Sequence, residues 1–133
     1  MRTRRPLLRA RSLASVVVAA FLVRRLYGNA PLDRLAGLLR TGAPFPPALC
    51  DPGLHLENVN LLLPLLPPRG LRACFKRSLI LMHLWHRCGL EPQLHLGVRP
   101  GDSGPRSGHA WVTAAGIPEL EVEGDGYREA VVV

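Results

Sequence analysis

Cys74, His109 and Glu121 carry the three functions a cysteine acyl-transfer site needs: a sulfur nucleophile, a general base, and a carboxylate to orient that base. Cys74 lies near the start of Arg69–Gly89, RGLRACFKRSLILMHLWHRCG. There Leu71, Phe75, Ser78, Met82 and Trp85 recur at spacings of four, three, four and three, which predicts a helix with one buried face. Arg72, Lys76, His83 and Arg87 fall opposite as a narrow polar stripe, and Gly89 followed by Pro92 stops the helix. A cysteine in the first turn meets the positive end of the helix dipole and N–H donors with no acceptor inside the helix, a setting that favours a thiolate nucleophile. The same position also suits a small core cysteine. The choice between them turns on His109.

After the helix the hydrophobic period drops to two. Gln93–Val98 alternates, with Leu94, Leu96 and Val98 on one face and Gln93 and His95 on the other. PGDSGPRSG, 100–108, has loop composition, and His109–Thr113 is a second strand presenting His109, Trp111 and Thr113 together. Ala114–Gly116 makes a three-residue hairpin loop and Ile117–Val122 returns as a third strand. That register sets Thr113 opposite Ile117, Trp111 opposite Glu119 and His109 opposite Glu121. Glu119 and Glu123 share the strand face of Glu121, so register alone selects Glu121. A helix packed over this face would supply the thiol.

The first half is of another character. Helices are predicted over Leu8–Leu26, from Pro31 to Gly42, and over Leu54–Leu63, separated by the proline-rich stretch Thr41–Gly53 and ended by Pro64, Pro67 and Pro68. A chain of 133 residues suits one domain. The net charge is +7, and seven arginines (2, 4, 5, 9, 11, 24 and 25) precede the first acid, Asp33. Such a terminus attracts an acidic peptide or an anionic membrane surface. Aromatics at 5% and no basic stretch interleaved with them argue against nucleic acid. Leu13–Val23 is an apolar run of eleven residues, too short to span a bilayer by itself; it reads as a buried or interfacial helix, with a targeting segment as the alternative. Cysteines at 50, 74 and 88 make no disulfide framework and point to a reducing, cytoplasmic setting, with membrane association through the basic helix left open. Cys50 receives no role. His83-x-x-His86 and Cys88 diverge around the helix, so no metal site is expected.

CFKRSLILMHLWHRCGLEPQLHLGV followed by GHAWV resembles the transglutaminase-like superfamily and, more narrowly, the B2 protein family of lasso peptide biosynthesis. Cys74, Arg77-Ser78-Leu79, Gly89-Leu90, Leu94, Leu96-Gly97-Val98 and His109-Ala110-Trp111-Val112 carry the match; where Glu121 stands the family usually has aspartate. The resemblance implies an α+β fold: a papain/transglutaminase-like core over 69–133, a helix packed on a small antiparallel sheet, preceded by a helical half over 1–68. It also implies a cysteine peptidase, without metal or organic cofactor, that removes the leader from a ribosomally made precursor peptide. Its partners would be that precursor, a small leader-recognition protein of the B1 type and a lasso cyclase. An inactive scaffold of the same fold, or an acyl transferase using the same triad, are the alternatives.

Overall fold

A computed structural model describes residues 6–67, 72–98, 108–114 and 128–133. Helices occupy the first half: α1 (Pro6–Leu26), α2 (Leu32–Leu39) and α3 (Pro52–Leu62), with single 3-10 turns at Pro47–Leu49 and Leu63–Leu65. Prolines set several of these boundaries. Pro31, held at φ −63°, immediately precedes α2, and Pro52 opens α3. Asp51 caps α3, its carboxylate accepting the Leu54 N–H at 3.0 Å. The apolar run Leu13–Val23 sits inside a 21-residue helix.

The central helix is α4 (Ala73–Arg87), followed by β1 (Pro92–Val98), β2 (Gly108–Ala114) and β3 (Arg128–Val132). Gly89, at φ +82°, closes α4: its N–H donates to the His86 carbonyl at 2.9 Å and that of Leu90 to Trp85 at 3.0 Å. This double bond pattern is the glycine-terminated helix end that the sequence predicted.

Every residue from Ser78 to Trp85 is buried, so α4 has no wet stripe along this stretch. That corrects the amphipathic reading. Val16, Ala19, Ala20 and Val23 of α1, Leu35, Ala36 and Leu39 of α2, and Val59 of α3 form one core with α4, while the sheet packs on it as well. The polar members of the expected stripe are satisfied by carbonyls at chain reversals: His83 Nδ1 bonds the Leu39 carbonyl at 2.9 Å and Lys76 Nζ donates to Leu66 at 2.7 Å.

The sheet is antiparallel with order β2-β1-β3. Gln93 faces Thr113, His95 faces Trp111 and Gly97 faces His109, and β3 pairs the other edge of β1 with an irregularity at Leu96/Gly97. The expected third strand, Ile117–Val122, and its register with β2 lie outside the described residues. A second correction concerns the sheet's faces. Leu94, Ala110, Val112 and Ala114 join the core shared with α4. Alternation then puts His95, Trp111, His109 and Thr113 on the opposite face. Small residues at 110 and 114 let the strand approach the helix closely, and the bulky rings are left to stack on one another.

Candidate functional site

Cys74 is the second residue of α4 and is half-buried at the edge of the core. Arg72 precedes the helix in an extended conformation (φ −58°, ψ 141°), and no side chain caps that end. The first bond of the ladder runs from the Lys76 N–H to the Arg72 carbonyl at 2.9 Å, so the amides of residues 73–75 have no acceptor within the helix. No acid sits in this turn, whereas Arg72, Lys76 and Arg77 do. The turn is also held firmly. Ser78 Oγ donates to the Cys74 carbonyl at 2.7 Å, Phe75 packs edge-on against Tyr27 at 6.0 Å, and the buried Lys76 ties the turn to Leu66. Backbone donors, positive charge and a cysteine on a tethered turn are thus gathered at one helix end, an arrangement able to stabilise an oxyanion.

His109 is the second residue of β2 and is half-buried. Its ring stacks on Trp111 at 5.9 Å and 18°, and Trp111 lies flat on His95 at 5.3 Å and 7°. His95 Nε2 bonds Thr113 Oγ1 at 2.7 Å. The directly opposed residue is Gly97, which has no side chain to crowd the imidazole.

The chain path relates the thiol's helix to the imidazole's strand. Four residues after α4, β1 starts, and a cavity of about 880 Å³ lined by His86, Gly89, Pro92, Gln93 and Thr113 brings the end of α4, the start of β1 and the end of β2 together. Helix and strand are of similar length: 15 residues of helix span about 22 Å and 7 of strand about 23 Å. His109, near the start of β2, pairs with Gly97 at the opposite end of β1 from that cavity. Among the described residues no hydrogen bond joins the Cys74 thiol to His109. Glu121, like Glu119 and Glu123, lies outside the described residues.

The other two cysteines form a pair that sequence reasoning missed. Burial, and then a hydrogen bond with the Cys50 thiol, push the Cys88 thiol up to about 12. Cys50 Sγ also lies 3.7 Å from the Phe45 carbonyl, and Phe45 N–H bonds the Arg87 carbonyl at 2.8 Å. The pair thus straps the 43–52 segment to the end of α4. A further unread cluster joins α1 to α3. Ser12 Oγ bonds His55 Nδ1 at 2.9 Å, Asn58 Nδ2 donates to Ser12 Oγ at 2.8 Å, and His55 Nε2 reaches the Leu49 carbonyl at 3.0 Å. Because Nε2 faces a carbonyl it carries the proton, leaving Nδ1 to accept from the serine. Burial lowers the pKa of both His55 and His83. Both the serine and the histidine are sealed from solvent, so this Ser–His pair is a fastener between helices.

A family model matches residues 8–132, from the first turn of α1 to the last strand. The chain belongs to the transglutaminase-like superfamily. No curated protein and no solved structure gives a significant match. The matched region takes in α1–α3 as well as the helix–sheet unit, so in this transglutaminase-like chain the helical half falls within the family region. Superfamily membership carries cysteine peptidase or acyltransferase-like chemistry, and the helix-on-antiparallel-sheet architecture is compatible with it.

Proposed function

We propose that this transglutaminase-like chain is a cysteine peptidase in which Cys74 attacks, His109 transfers protons and Glu121 orients His109, within a papain-like core. The observation that carries the reading is the setting of Cys74: a half-buried cysteine in the uncapped first turn of a buried helix, in a chain of this superfamily. In this mechanism His109 takes the Cys74 thiol proton as the sulfur bonds to the scissile carbonyl carbon, and first-turn amides receive the oxyanion. His109 gives its proton to the leaving amine as the C–N bond breaks, leaving a thioester. His109 then takes a proton from water, which attacks the thioester and releases the acid with regeneration of the thiol. The His109 face of β2 turns away from α4, so this reading requires the imidazole to reach the thiol around the end of the strand. Trp111 supplies a wall for the ring.

The substrate of this reading is the leader segment of a lasso-type precursor, presented by a separate leader-binding protein and passed to a cyclase. The motif match from Cys74 through His109-Ala110-Trp111-Val112 supports it. Transfer of the acyl group to an amine would use the same thioester with a different acceptor. Incubating the protein with precursor peptide, with and without the leader-binding partner, and weighing the products tests the proposal: free leader and core with one added water are expected. A product in which water is replaced by an amine would assign acyl transfer instead.

A further inference from the structure

α1 has two different sides. Val16, Ala19, Ala20 and Val23 are fully enclosed by the core. On the other side, Leu7, Arg11, Ala14, Val18, Phe21 and Arg25 are all exposed and recur at spacings of four, three, four, three and four. That spacing is one continuous helical stripe. Val18 is 62% exposed and Phe21 50%, and the stripe does not stop at α1. A cavity of about 370 Å³ lined by Phe21, Arg24, Leu65 and Pro67 joins it to the turn after α3, where Leu65 is 73% exposed and Leu61, a turn earlier, 60%. Glu57, one further turn back, is exposed and marks the edge of the apolar surface.

From this composition we infer that the α1 face and the Leu61–Leu65 shoulder together dock on an anionic lipid bilayer, with α1 lying in the plane of the interface. Three features converge on that occupant. First, α1 is long and apolar enough to cross a membrane by length and composition, but with Val16, Ala19, Ala20 and Val23 sealed in protein, only one side of it can meet lipid. This favours lying on the surface over spanning it. Second, the charged residues of α1 are all arginines, with Arg11 near one end of the stripe and Arg24 and Arg25 at the other. Arginines so placed reach up to phosphate groups while their stems and the valines and phenylalanine enter the acyl boundary. Third, the exposed apolar side chains Val18, Phe21, Leu61 and Leu65 continue from α1 onto the turn after α3 as one surface flanked by arginine. The face lies on α1, α3 and the turn after it, whereas Cys74 and His109 of the proposed chemistry lie on α4 and β2, so docking and activity are separable.

Cosedimentation of the full chain with vesicles of phosphatidylcholine alone, and with phosphatidylglycerol added, tests this. Binding is expected only to the anionic vesicles and should weaken as salt rises. Arg24→Glu/Arg25→Glu, and separately Val18→Ser/Phe21→Ser, should each lower the apparent partition constant at least about tenfold. The altered side chains are exposed, and thermal melts matching the unaltered chain establish that the variants fold. Equal binding to both vesicle types, no binding, or variants that bind like the parent would overturn the inference. So would an apolar variant that abolishes a solution dimer, or a loss of acidic-peptide binding without any vesicle binding. These outcomes reassign the face to a second copy or to a peptide.

Discussion

His95 and Trp111 face each other across β1 and β2, their rings 5.3 Å apart and within 7° of parallel, and the His109 ring stacks on Trp111 in turn. An imidazole leaning on a buried indole keeps one plane, and a partner beneath the indole keeps the indole still. His95 is therefore a positioning residue for His109 in the proposed mechanism. His95→Ala should lower kcat by about twofold to tenfold, the range set by the worth of one aromatic stacking pair, with KM little changed. His95→Phe keeps the stack but not the bond to Thr113 and should recover most of that loss. A phenylalanine variant as slow as the alanine one would assign the effect to the Thr113 bond.

The buried histidines make stability sensitive to acid. His55 and His83 both titrate below the ordinary histidine value of 6.5 because burial disfavours their charged forms. The unfolded chain binds these protons more readily, so the stabilisation is complete above 6.5 and is lost as pH falls from 6.5 toward the lowered native values. Tm measured across a pH series should be level around neutrality and decline on the acid side. The double variant His55→Gln/His83→Gln should show a smaller decline between neutral and mildly acidic pH, even if its Tm at neutrality is lower. An identical slope in parent and variant would contradict this account.

The three cysteines should differ in reactivity. Cys88, with its thiol pushed up to about 12, stays protonated at neutral pH and is a poor nucleophile. Brief iodoacetamide treatment of the folded chain followed by peptide mapping should leave Cys88 unlabelled while Cys74 is labelled. Cys50→Ala and Cys88→Ala should both keep cleavage activity. Rapid labelling of Cys88 in the folded protein would refute the pairing with Cys50.

Glu121 is selected over its neighbours by the register read from sequence, with opposed side chains about 5 Å apart at Cβ and diagonal ones about 7–8 Å. Gln substitutions at 119, 121 and 123 should fold alike, and only Glu121→Gln should lose most of its cleavage rate. Glu121→Asp, which restores the residue usual in the B2 family, should retain more activity than Glu121→Gln. If Glu119→Gln is the crippled variant, the register read from a loop at Ala114–Gly116 is wrong.

Much of the helix–sheet unit was legible because its boundaries are punctuated locally. Gly89 and Pro92 end α4 and open β1, and alternation alone delimits β1 and β2 to within a residue or so. What the sequence hid was set by tertiary neighbours. Lys76 and His83 read as solvent-facing, yet the carbonyl of Leu66, 10 residues back, and that of Leu39, 44 residues back, meet them and allow their burial. Trp111 read as lying under the helix because it shares its strand face with His109, over which the helix is expected to pack. The close approach of α4 instead selects Ala110 and Ala114 for that face. β3 left a signal that went unread in Ala130-Val131-Val132, a β-rich run. The Cys50–Cys88 pair, which depends on a fold-back of the proline-rich segment, left none.

The central claim is that the Cys74 sulfur is the nucleophile. The direct measurement is cleavage of a lasso-type precursor peptide by Cys74→Ala beside the parent chain, both with the leader-binding partner, followed by mass spectrometry and accompanied by circular dichroism of each protein. The account predicts a folded Cys74→Ala protein that releases no leader while the parent releases it. Leader release by Cys74→Ala at the parent's rate would contradict it.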